Sequence, residues 1–321
     1  MLPNFSYVRP NSLSEAVRRV AGGGTIHAGG TDLLGCLRDG VFTTDKIVSL
    51  QALDDLRGIR QNESGLSIGA LTTLSEIADH RVVQYSFPAL AQGAAAAASP
   101  QIRNQGTIGG NICQRPRCWY FRGDFHCLRK GGDRCYAVDG ENEFHCILGG
   151  SGCYIVHPSD TAPALIALDA QIRIVGPKGK RTVPAESFFV LPAKDPTIET
   201  VLQPGEIVTE ILLPPMRQLR SSYRKVRARG AWDFALAGVA LAIRFDHDRA
   251  VEWVRVVLSG VAPIPWRAQA AERKLLGRRL QGATISEAAV ASTDGAAPLS
   301  QNAYKVDMVQ GVVEESLLAM A

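Results

Sequence analysis

Cysteines crowd into one short part of this sequence, and their chemistry is the first indication of function. Six of the seven lie in one window, and they are Cys113, Cys118, Cys127, Cys135, Cys146 and Cys153. The remaining one is Cys36. The N-terminus has no basic segment followed by an apolar run, which predicts a chain without an export signal in a reducing compartment. Because disulfides are rare there, gathered thiols favour a metal site.

The spacing within residues 113–153 favours an iron–sulfur cluster over zinc. Zinc sites usually contain closely spaced cysteine pairs, whereas the closest pair here is Cys113 and Cys118. A four-iron cluster tolerates wider spacing because its metal atoms are spread over a larger object. Six basic residues of the window would stabilise an anionic cluster, namely Arg115, Arg117, Arg122, Arg129, Lys130 and Arg134. Two alternatives stay open: zinc with His126, His145 and His157 as further ligands, and a surface loop with incidental cysteines.

Two glycine-rich segments could bind phosphate through their backbone. Ala28–Asp32 reads AGGTD, and Gly106–Asn111 reads GTIGGN. Glycine permits the conformations in which successive N–H groups face an anion, and Thr31, Thr107 and Asn111 add side-chain donors. Neither segment matches the G-x-G-x-x-G or P-loop fingerprint. The residues alone therefore leave a dinucleotide site and two ordinary turns as alternatives.

The predicted elements place these segments between short helices and strands. Thr73–Asp79 is predicted as a helix in which Thr73 and Glu76 form a capping box. The cysteine window has no hydrophobic period and is predicted to be a long irregular loop, of the kind that a function usually orders. Cys153–Val156 is predicted as a strand. After a Pro-Pro break near residue 215, the last hundred residues predict a compact α+β unit.

Length and composition limit the classes of protein. With 321 residues, about two domains are expected. Hydrophobic residues make up 46%, which is too high for a disordered chain. A net charge of +4, from 35 basic and 31 acidic residues, is too small to indicate nucleic-acid binding. No apolar run is long enough for a membrane span.

Four segments together resemble a known family. They read AGGTDLL at Ala28–Leu34, IRNQGTIGGNI at Ile102–Ile112, HPSDTAPALIALDA at His157–Ala170, and YRKVRARGAWDFAL at Tyr223–Leu236. Their order and spacing are similar to those of the FAD-binding (medium) subunit of molybdenum hydroxylases, the xanthine oxidase family. The resemblance extends along nearly the whole chain.

The resemblance implies an α+β fold in two domains. Residues 1–215 would form a two-subdomain FAD-binding domain of the vanillyl-alcohol-oxidase (PCMH) type, with subdomains of about 1–56 and 57–215. Residues 216–321 would form a small α+β domain like the C-terminal domain of carbon monoxide dehydrogenase flavoproteins. This boundary agrees with the Pro-Pro break near residue 215.

The cysteine window is an insertion relative to most of the family. Most members run directly from TIGGNI to PSD, whereas this chain inserts a loop there that contains residues 113–153. This resembles the flavin subunits of the bacterial periplasmic aldehyde oxidoreductase and of 4-hydroxybenzoyl-CoA reductase, which carry an extra [4Fe-4S] cluster in this loop. The resemblance implies that four cysteines bind such a cluster: Cys118, Cys127, Cys135 and Cys153. Cys113 and Cys146 are then spare, and Cys146 is the alternative ligand.

The same comparison implies the residues that bind FAD, without a covalent link. The pyrophosphate is assigned to His27, Ala28, Gly29, Gly30, Thr31, Asp32, Leu33 and Leu34, together with Thr107, Gly110 and Asn111. Asp160 would bond hydroxyls of the adenosine or ribitol, and Lys225 would lie near the flavin ring. The alternatives are that Asp160 only caps a helix beside Ser159, and that Lys225 is a solvated strand lysine. The resemblance implies no catalytic residue in this chain.

By this resemblance the protein is an oxidoreductase subunit that transfers electrons, in a heterotrimeric molybdenum hydroxylase. The implied partners are a large subunit with the molybdenum cofactor and a small subunit with two [2Fe-2S] clusters. We expect an external one-electron acceptor rather than NAD, no nucleic-acid partner and no membrane insertion. The segments QRPRC and HPSD resemble the aldehyde oxidoreductase more closely. We expect a cytoplasmic chain, or a periplasmic one if a partner subunit carries an export signal.

Three alternatives for the function remain at this point. The chain could be the flavin subunit of an enzyme like 4-hydroxybenzoyl-CoA reductase or of another aromatic or N-heterocycle hydroxylase. It could be a self-contained flavin oxidoreductase, although the sequence offers no convincing base beside the flavin. It could also be a zinc-stabilised binding module in which aromatic residues of the window stack on a ligand: Trp119, Tyr120, Phe121 and Phe125.

Overall fold

A three-stranded parallel sheet lies at the start of the chain in this computed structural model, which describes residues 2–215 and 218–321. Its order is β1 (Ser6–Val8), β3 (Lys46–Ser49), β2 (Thr25–His27). Helix α1 (Leu13–Ala21) links β1 to β2, and its N-cap Ser12 accepts a hydrogen bond from the backbone of Glu15. The first glycine segment follows β2 and leads into α2 (Leu33–Arg38). The predicted start of the second domain, residues 216 and 217, lies outside the described residues.

A five-stranded antiparallel sheet forms the second layer. Its order is β4 (Ile59–Asn62), β5 (Gly65–Gly69), β8 (Ile207–Leu213), β6 (Gln171–Gly176), β7 (Gly179–Pro184). The connection from β5 to β6 contains most of the helices: α3 (Leu74–Asp79), α4 (Arg81–Ser86), α5 (Pro88–Ala96), α6 (Pro100–Arg103), α7 (Ile108–Ile112), α8 (Trp119–Arg122) and α9 (Thr161–Ala167). The capping box of Thr73 and Glu76 at the start of α3 is confirmed. One apolar core joins the sheet to these helices.

Helices α5 and α9 pack closely because α5 is rich in small residues. A Cβ atom on Gly93 would lie 2.6 Å from the carbonyl oxygen of Asp160. Any larger residue there would displace the start of α9, which follows Asp160 directly. The same helix α5 also packs against the C-terminal sheet. Its alanines therefore fix the position of Asp160 between the two parts of the chain.

The C-terminal part is an antiparallel sheet covered by helices. The order is β12 (Trp266–Arg267), β11 (Val251–Ser259), β10 (Ala237–Phe245), β9 (Arg220–Val226), and the helices are α10 (Gln269–Leu275), α11 (Gly282–Ala291) and α12 (Tyr304–Leu318). The strongly apolar β10 lies in the middle of the sheet and is almost wholly buried. The α+β class is therefore confirmed. In the described part of the chain, no helix is long and apolar enough to cross a membrane.

The cysteine window is largely irregular, as predicted. It contains one turn of α-helix, α8, and one 3-10 turn at Leu128–Lys130. The predicted strand at Cys153–Val156 is wrong, because the structure has only an isolated bridge between Ser151 and Cys153 there. The backbone of this stretch bonds to single partners instead: the Tyr154 carbonyl accepts from Cys146. Through this bond the end of the window contacts an earlier part of the same loop.

The C-terminal helices hold the end of the window in place. Asn142 and Gln301 exchange two hydrogen bonds of 2.9 Å between side chain and backbone. Asn302 Nδ2 donates to the carbonyl of His145 at 3.1 Å, and Lys305 Nζ donates to the carbonyl of Phe144 at 3.1 Å. The inserted loop is thus part of the folded molecule and contacts both its N-terminal and its C-terminal parts.

Candidate functional site

The two glycine segments touch each other in the structure. A Cβ atom on Gly29 would lie 1.9 Å from the carbonyl oxygen of Gln105, so the contact requires glycine. In the second segment Thr107 caps α7 by accepting a hydrogen bond from the backbone of Gly110. The backbone N–H groups of Gly106 and of residues 108–111 already donate to protein acceptors. The second segment therefore offers mainly side-chain donors, beside the backbone of the first segment.

A cavity of about 450 Å³ lies beside this contact, and we call it the dinucleotide cavity. Six of the residues assigned to FAD line it: Thr31, Asp32, Thr107, Gly110, Asn111 and Asp160. The other assigned residues are not among its walls: His27, Ala28, Gly29, Gly30, Leu33, Leu34 and Lys225. Most of these belong to the first glycine segment and support its two lining residues. The structure thus brings both loops and Asp160 to one cavity.

Asn111 ties the second glycine segment to the start of α9. Its Oδ1 atom accepts hydrogen bonds from the hydroxyls of Ser159 and Thr161, each at 2.6 Å. These two residues flank Asp160, and Ser159 Oγ also accepts from the backbone N–H of Ala162. Because Oδ1 is taken by two donors, the NH₂ group of Asn111 is left to donate elsewhere. The arrangement fixes the second loop and Asp160 relative to each other.

Asp160 is held by two residues of β9. Lys225 Nζ lies 2.8 Å from its Oδ2 atom, and the Tyr223 hydroxyl donates to Oδ1 at 2.7 Å. Burial raises the pKa of Asp160, and Lys225 partly offsets this; burial also raises the pKa of Tyr223 well above its ordinary value. Two alternative hypotheses are therefore wrong, namely that Asp160 only caps a helix and that Lys225 is a solvated strand lysine. Asp160 makes no side-chain cap bond to α9, and the Lys225 side chain is only 3% exposed.

Asp32 of the first glycine segment binds the inserted loop. Its Oδ1 atom lies 2.7 Å from Arg122 Nη2 and 3.0 Å from Arg117 Nη2. Its Oδ2 atom accepts from the backbone N–H of Arg115 at 2.7 Å. Charge-assisted hydrogen bonds of this length are about twice as strong as neutral ones. The inserted loop is therefore docked on the edge of the dinucleotide cavity.

Four cysteines line a second, much smaller cavity, which we call the cysteine cavity: Cys118, Cys127, Cys135 and Cys153. They are the four that the resemblance selects. Cys113 instead packs against the core of the five-stranded sheet. Cys146 is wholly buried and close enough to Cys153 to affect its own ionisation. The cysteine cavity measures only about 10 Å³, so its sulfurs lie close together and must move apart to hold a cluster.

The sulfurs of this cavity ionise differently. A hydrogen bond from Cys135, followed by the charge of Arg129, lowers the pKa of Cys153 to about 6. The same bond raises the pKa of Cys135. Burial raises the pKa of Cys118 to about 11, and His145 Nε2 lies 3.3 Å from its sulfur. Cys135 and Cys153 thus form a hydrogen-bonded pair beside Arg129 in this cavity.

Arg129 brings a buried positive charge to the cysteine cavity. Its side chain is 1% exposed, and Nη1 lies 2.7 Å from Glu199 Oε1. Its Nε atom has no hydrogen-bond partner within the described residues, although Arg129 lines the cysteine cavity. A buried donor without an acceptor costs about 1–3 kcal/mol. The anionic sulfurs of an iron–sulfur cluster would supply that acceptor, so this donor set fits such a cluster.

The described residues hold no preformed metal site, which applies to zinc and to a cluster alike. Within residues 2–215 and 218–321, no three Cys, His, Asp or Glu side chains are placed around one point as ligands of one ion. Of the histidines in the zinc alternative, His145 lines the cysteine cavity, whereas His126 is exposed and His157 lines another cavity. Zinc holds sulfur at about 2.3 Å from one centre, while a cluster distributes four sulfurs over four metal atoms.

A third cavity, of about 190 Å³, adjoins both sites. It shares Arg117, Asp160 and Phe234 with the dinucleotide cavity. It shares Cys118 and His145 with the cysteine cavity. The third cavity therefore lies between the two sites, and each site shares lining residues with it.

Sequence reasoning missed several residues of the dinucleotide cavity: Gln114, Arg117, Arg229, Trp232, Asp233 and Phe234. Trp232 is 64% exposed and has a φ of +53°, and its backbone N–H donates to Ala98, which has a φ of +47°. Such conformations are uncommon for residues other than glycine and often occur at functional sites. Trp232 and Phe234 lie within Tyr223–Leu236, one of the four segments that carry the family resemblance. Their position in that segment was the sequence signal that could have identified them.

Comparisons with known proteins agree with this geometry. Residues 3–216 match the family model described as the FAD binding domain in molybdopterin dehydrogenase. Residues 221–320 match that of the CO dehydrogenase flavoprotein C-terminal domain. The two matches together cover almost the whole chain.

Individual relatives are similar over their whole length. The chain is 37% identical to the aldehyde oxidoreductase FAD-binding subunit PaoB of Escherichia coli K12, over 94% of this chain and 93% of that one. It is 30% identical to the carbon monoxide dehydrogenase medium chain of Hydrogenophaga pseudoflava, over 99% and 97%. The solved carbon monoxide dehydrogenase from that organism superposes with a TM-score of 0.80 at 29% identity, covering 99% of this chain and 98% of that chain.

Proposed function

The chain belongs to the molybdenum hydroxylase family as an FAD-binding, electron-transferring subunit, and we propose that it carries one FAD and one [4Fe-4S] cluster in an aldehyde oxidoreductase. The observation that carries this proposal is the neighbourhood of two cavities. One is lined by both glycine segments and Asp160, and the other by four cysteines.

The dinucleotide cavity would hold FAD through three sets of groups. Backbone N–H groups of the first glycine segment, with the hydroxyls of Thr31 and Thr107, would bind the pyrophosphate. The free NH₂ group of Asn111 adds a further donor. Asp160 would accept from hydroxyls of the adenosine or ribitol. Lys225 donates a hydrogen bond to Asp160 and so favours the charged form of that carboxylate and holds its orientation. Lys225 would therefore act near the flavin ring through Asp160.

The cysteine cavity would hold the cluster through Cys118, Cys127, Cys135 and Cys153. Arg129 would compensate its negative charge, and its Nε–H would donate to a sulfur. Packing excludes water from this region: Phe121 is 1% exposed, and Phe121, Cys127 and Cys36 belong to one apolar cluster. Bound FAD exchanges one or two electrons and a bound [4Fe-4S] cluster exchanges one, which is the chemistry that the two sites would add to the chain.

The assignment to an aldehyde oxidoreductase rests on the similarity to PaoB, whose name states that activity. On this basis the partners would be a large subunit with the molybdenum cofactor and a small subunit with two [2Fe-2S] clusters. The external acceptor would be a one-electron carrier, because the cysteine window offers a second redox site near the flavin. The substrate itself would be oxidised on the large subunit.

Metal and flavin analysis of the purified complex tests this proposal. We expect one FAD per chain and about four iron atoms per chain beyond those of the small subunit, with no zinc. Adding an aldehyde anaerobically should bleach the flavin absorbance, and a one-electron acceptor should restore it. Zinc in place of iron would overturn the cluster, and a colourless chain that binds no FAD would overturn the proposal as a whole. Bleaching by an aromatic hydroxylase substrate but by no aldehyde would overturn the aldehyde assignment.

A further inference from the structure

We propose that Arg117, contributed by the inserted loop, is a ligand of the FAD diphosphate. The inference rests on the proposed function and adds to the flavin site a residue from outside the four segments that carry the family resemblance. The chemical class that Arg117 would recognise is an anionic diphosphate. It would also couple flavin binding to the cysteine cavity, because its neighbour in the chain is Cys118.

The position of Arg117 is the first argument. It lines the dinucleotide cavity together with Thr31, Thr107 and Gly110, the residues of both phosphate-binding loops. Its Nη2 atom lies 3.0 Å from Asp32 Oδ1 and also donates to Gln114 at 3.2 Å. These contacts hold the guanidinium at the edge of the first glycine segment. A ligand bound to the two loops would therefore meet it.

The remaining donors of Arg117 are the second argument. Its Nε atom is buried and has no hydrogen-bond partner in the part of the chain that the structure describes. This buried Nε–H is therefore available to an anionic acceptor in the cavity. Arginine presents several donors in a rigid fork that matches the geometry of a phosphate.

The charges around the cavity are the third argument. Its three carboxylates are already paired: Asp32 with two arginines, Asp160 with Lys225, and Asp233 with Arg229 at 3.9 Å. Because Asp32 pairs with both Arg117 and Arg122, one positive charge at this edge is left uncompensated. A diphosphate would complement it.

The chain connectivity gives the coupling. Arg117 and Cys118 are adjacent in sequence, and Cys118 lines the cysteine cavity. Filling that cavity would fix the backbone that presents Arg117 and so reduce the entropy lost when FAD binds. By thermodynamic linkage, FAD would then favour the filled cysteine cavity to the same extent.

The test compares Arg117→Gln and Arg117→Lys with the control Arg60→Gln in the purified complex. Arg60 is an exposed arginine of β4 that lines neither cavity. The dissociation constant of FAD is measured from flavin fluorescence after equilibrium dialysis, with iron content as a separate readout. We expect it to rise about ten- to a hundredfold for Arg117→Gln, as for the loss of a charged hydrogen bond. The dissociation constant should rise less for Arg117→Lys, and it should stay unchanged for the control.

An FAD dissociation constant that is the same for Arg117→Gln and the control would overturn the inference while leaving FAD binding itself intact. Absence of FAD from the wild-type complex would instead overturn the proposed function. The coupling has its own test, in which the cluster is removed from wild-type protein. FAD should then bind several-fold more weakly, and this difference should vanish in Arg117→Gln. Equal FAD affinity of wild-type protein with and without the cluster contradicts the coupling.

Discussion

Lys225 Nζ lies 2.8 Å from Oδ2 of Asp160, and the two side chains are only 3% and 5% exposed. The pair joins β9 of the C-terminal sheet to the start of α9, which lies on the other side of the dinucleotide cavity. Removing one partner of such a pair leaves a buried charge without compensation. The cavity wall therefore depends on both residues.

Lys225→Met should lower the free energy of unfolding of the full chain by about 3–5 kcal/mol, because Asp160 is left unpaired. Arg224→Met is the matched control, since Arg224 precedes Lys225 and pairs with Glu315 in solvent. An exposed pair of this kind contributes at most about 1 kcal/mol. Denaturant unfolding monitored by circular dichroism measures both variants. Equal losses in the two would contradict the importance of the buried pair.

Serine substitutions should separate the cluster ligands from the spare cysteines. Changing any of the four lining cysteines should reduce iron from about four atoms per chain to well below that number. Cys146→Ser should leave the iron content unchanged, because Cys146 is not among the residues of the cysteine cavity. Iron analysis and visible absorbance after anaerobic reconstitution give the answer. Loss of iron in Cys146→Ser together with its retention in Cys118→Ser would reverse the assignment.

Gly29→Ala should abolish or strongly weaken FAD binding. Its Cβ atom would fall 1.9 Å from the Gln105 carbonyl oxygen, so the two glycine segments must separate. Gly35→Ala is the control within the following helix α2, where the Cβ atom would lie 4.0 Å from Arg122 Nη1. Alanine is favoured over glycine in a helix by about 1 kcal/mol, so this variant should be at least as stable as the wild type. Flavin content per chain is measured, and normal FAD content in Gly29→Ala would disprove the close contact.

Lys305 should make stability depend on pH. It is wholly buried, Nζ donates to the Gly260 carbonyl at 2.7 Å, and burial lowers its pKa to about 8. Between this value and the ordinary pKa of about 10.4, the unfolded chain binds more protons than the folded one. Stability therefore rises with pH in this range, whereas below about pH 8 the buried ammonium is a constant cost.

The measurement for Lys305 compares wild-type protein with Lys305→Met at two pH values. From pH 7.5 to 9.5 the free energy of unfolding of the wild type should increase relative to the variant by about 2 kcal/mol. Other titrating groups are common to both proteins and cancel in the difference. A difference that does not change between the two pH values would show that the pKa of Lys305 is not lowered.

Much of the fold could be predicted from the sequence because its signals are local. The capping box at Thr73 and Glu76 requires only neighbouring residues, and both formed as predicted. The irregular cysteine window followed from its lack of hydrophobic period. The prediction of a strand at Cys153–Val156 was wrong because a short apolar run does not reveal whether a partner strand is available. In the structure the Tyr154 carbonyl accepts from Cys146 of the inserted loop, and His157, just after the segment, donates to Ala262 of the C-terminal part.

The candidate site also combines features that the sequence predicts with contacts that it does not. Residue types and spacing were enough to select the glycine segments and the cysteines, since a phosphate loop and a cluster each require particular groups close in sequence. Spacing could not show that Asp32 binds two arginines of the inserted loop, or that Asp160 binds Lys225. These partners are far apart in the chain.

The sequence by itself thus determined which groups are present and which local elements carry them. Only the tertiary structure decided which of the six clustered cysteines share a cavity, and that Arg117 of the inserted loop lines the dinucleotide cavity. The physical reason is that local hydrogen bonds and hydrophobic periodicity depend on near neighbours. Contacts between distant segments depend instead on how all the helices and sheets pack around a common core.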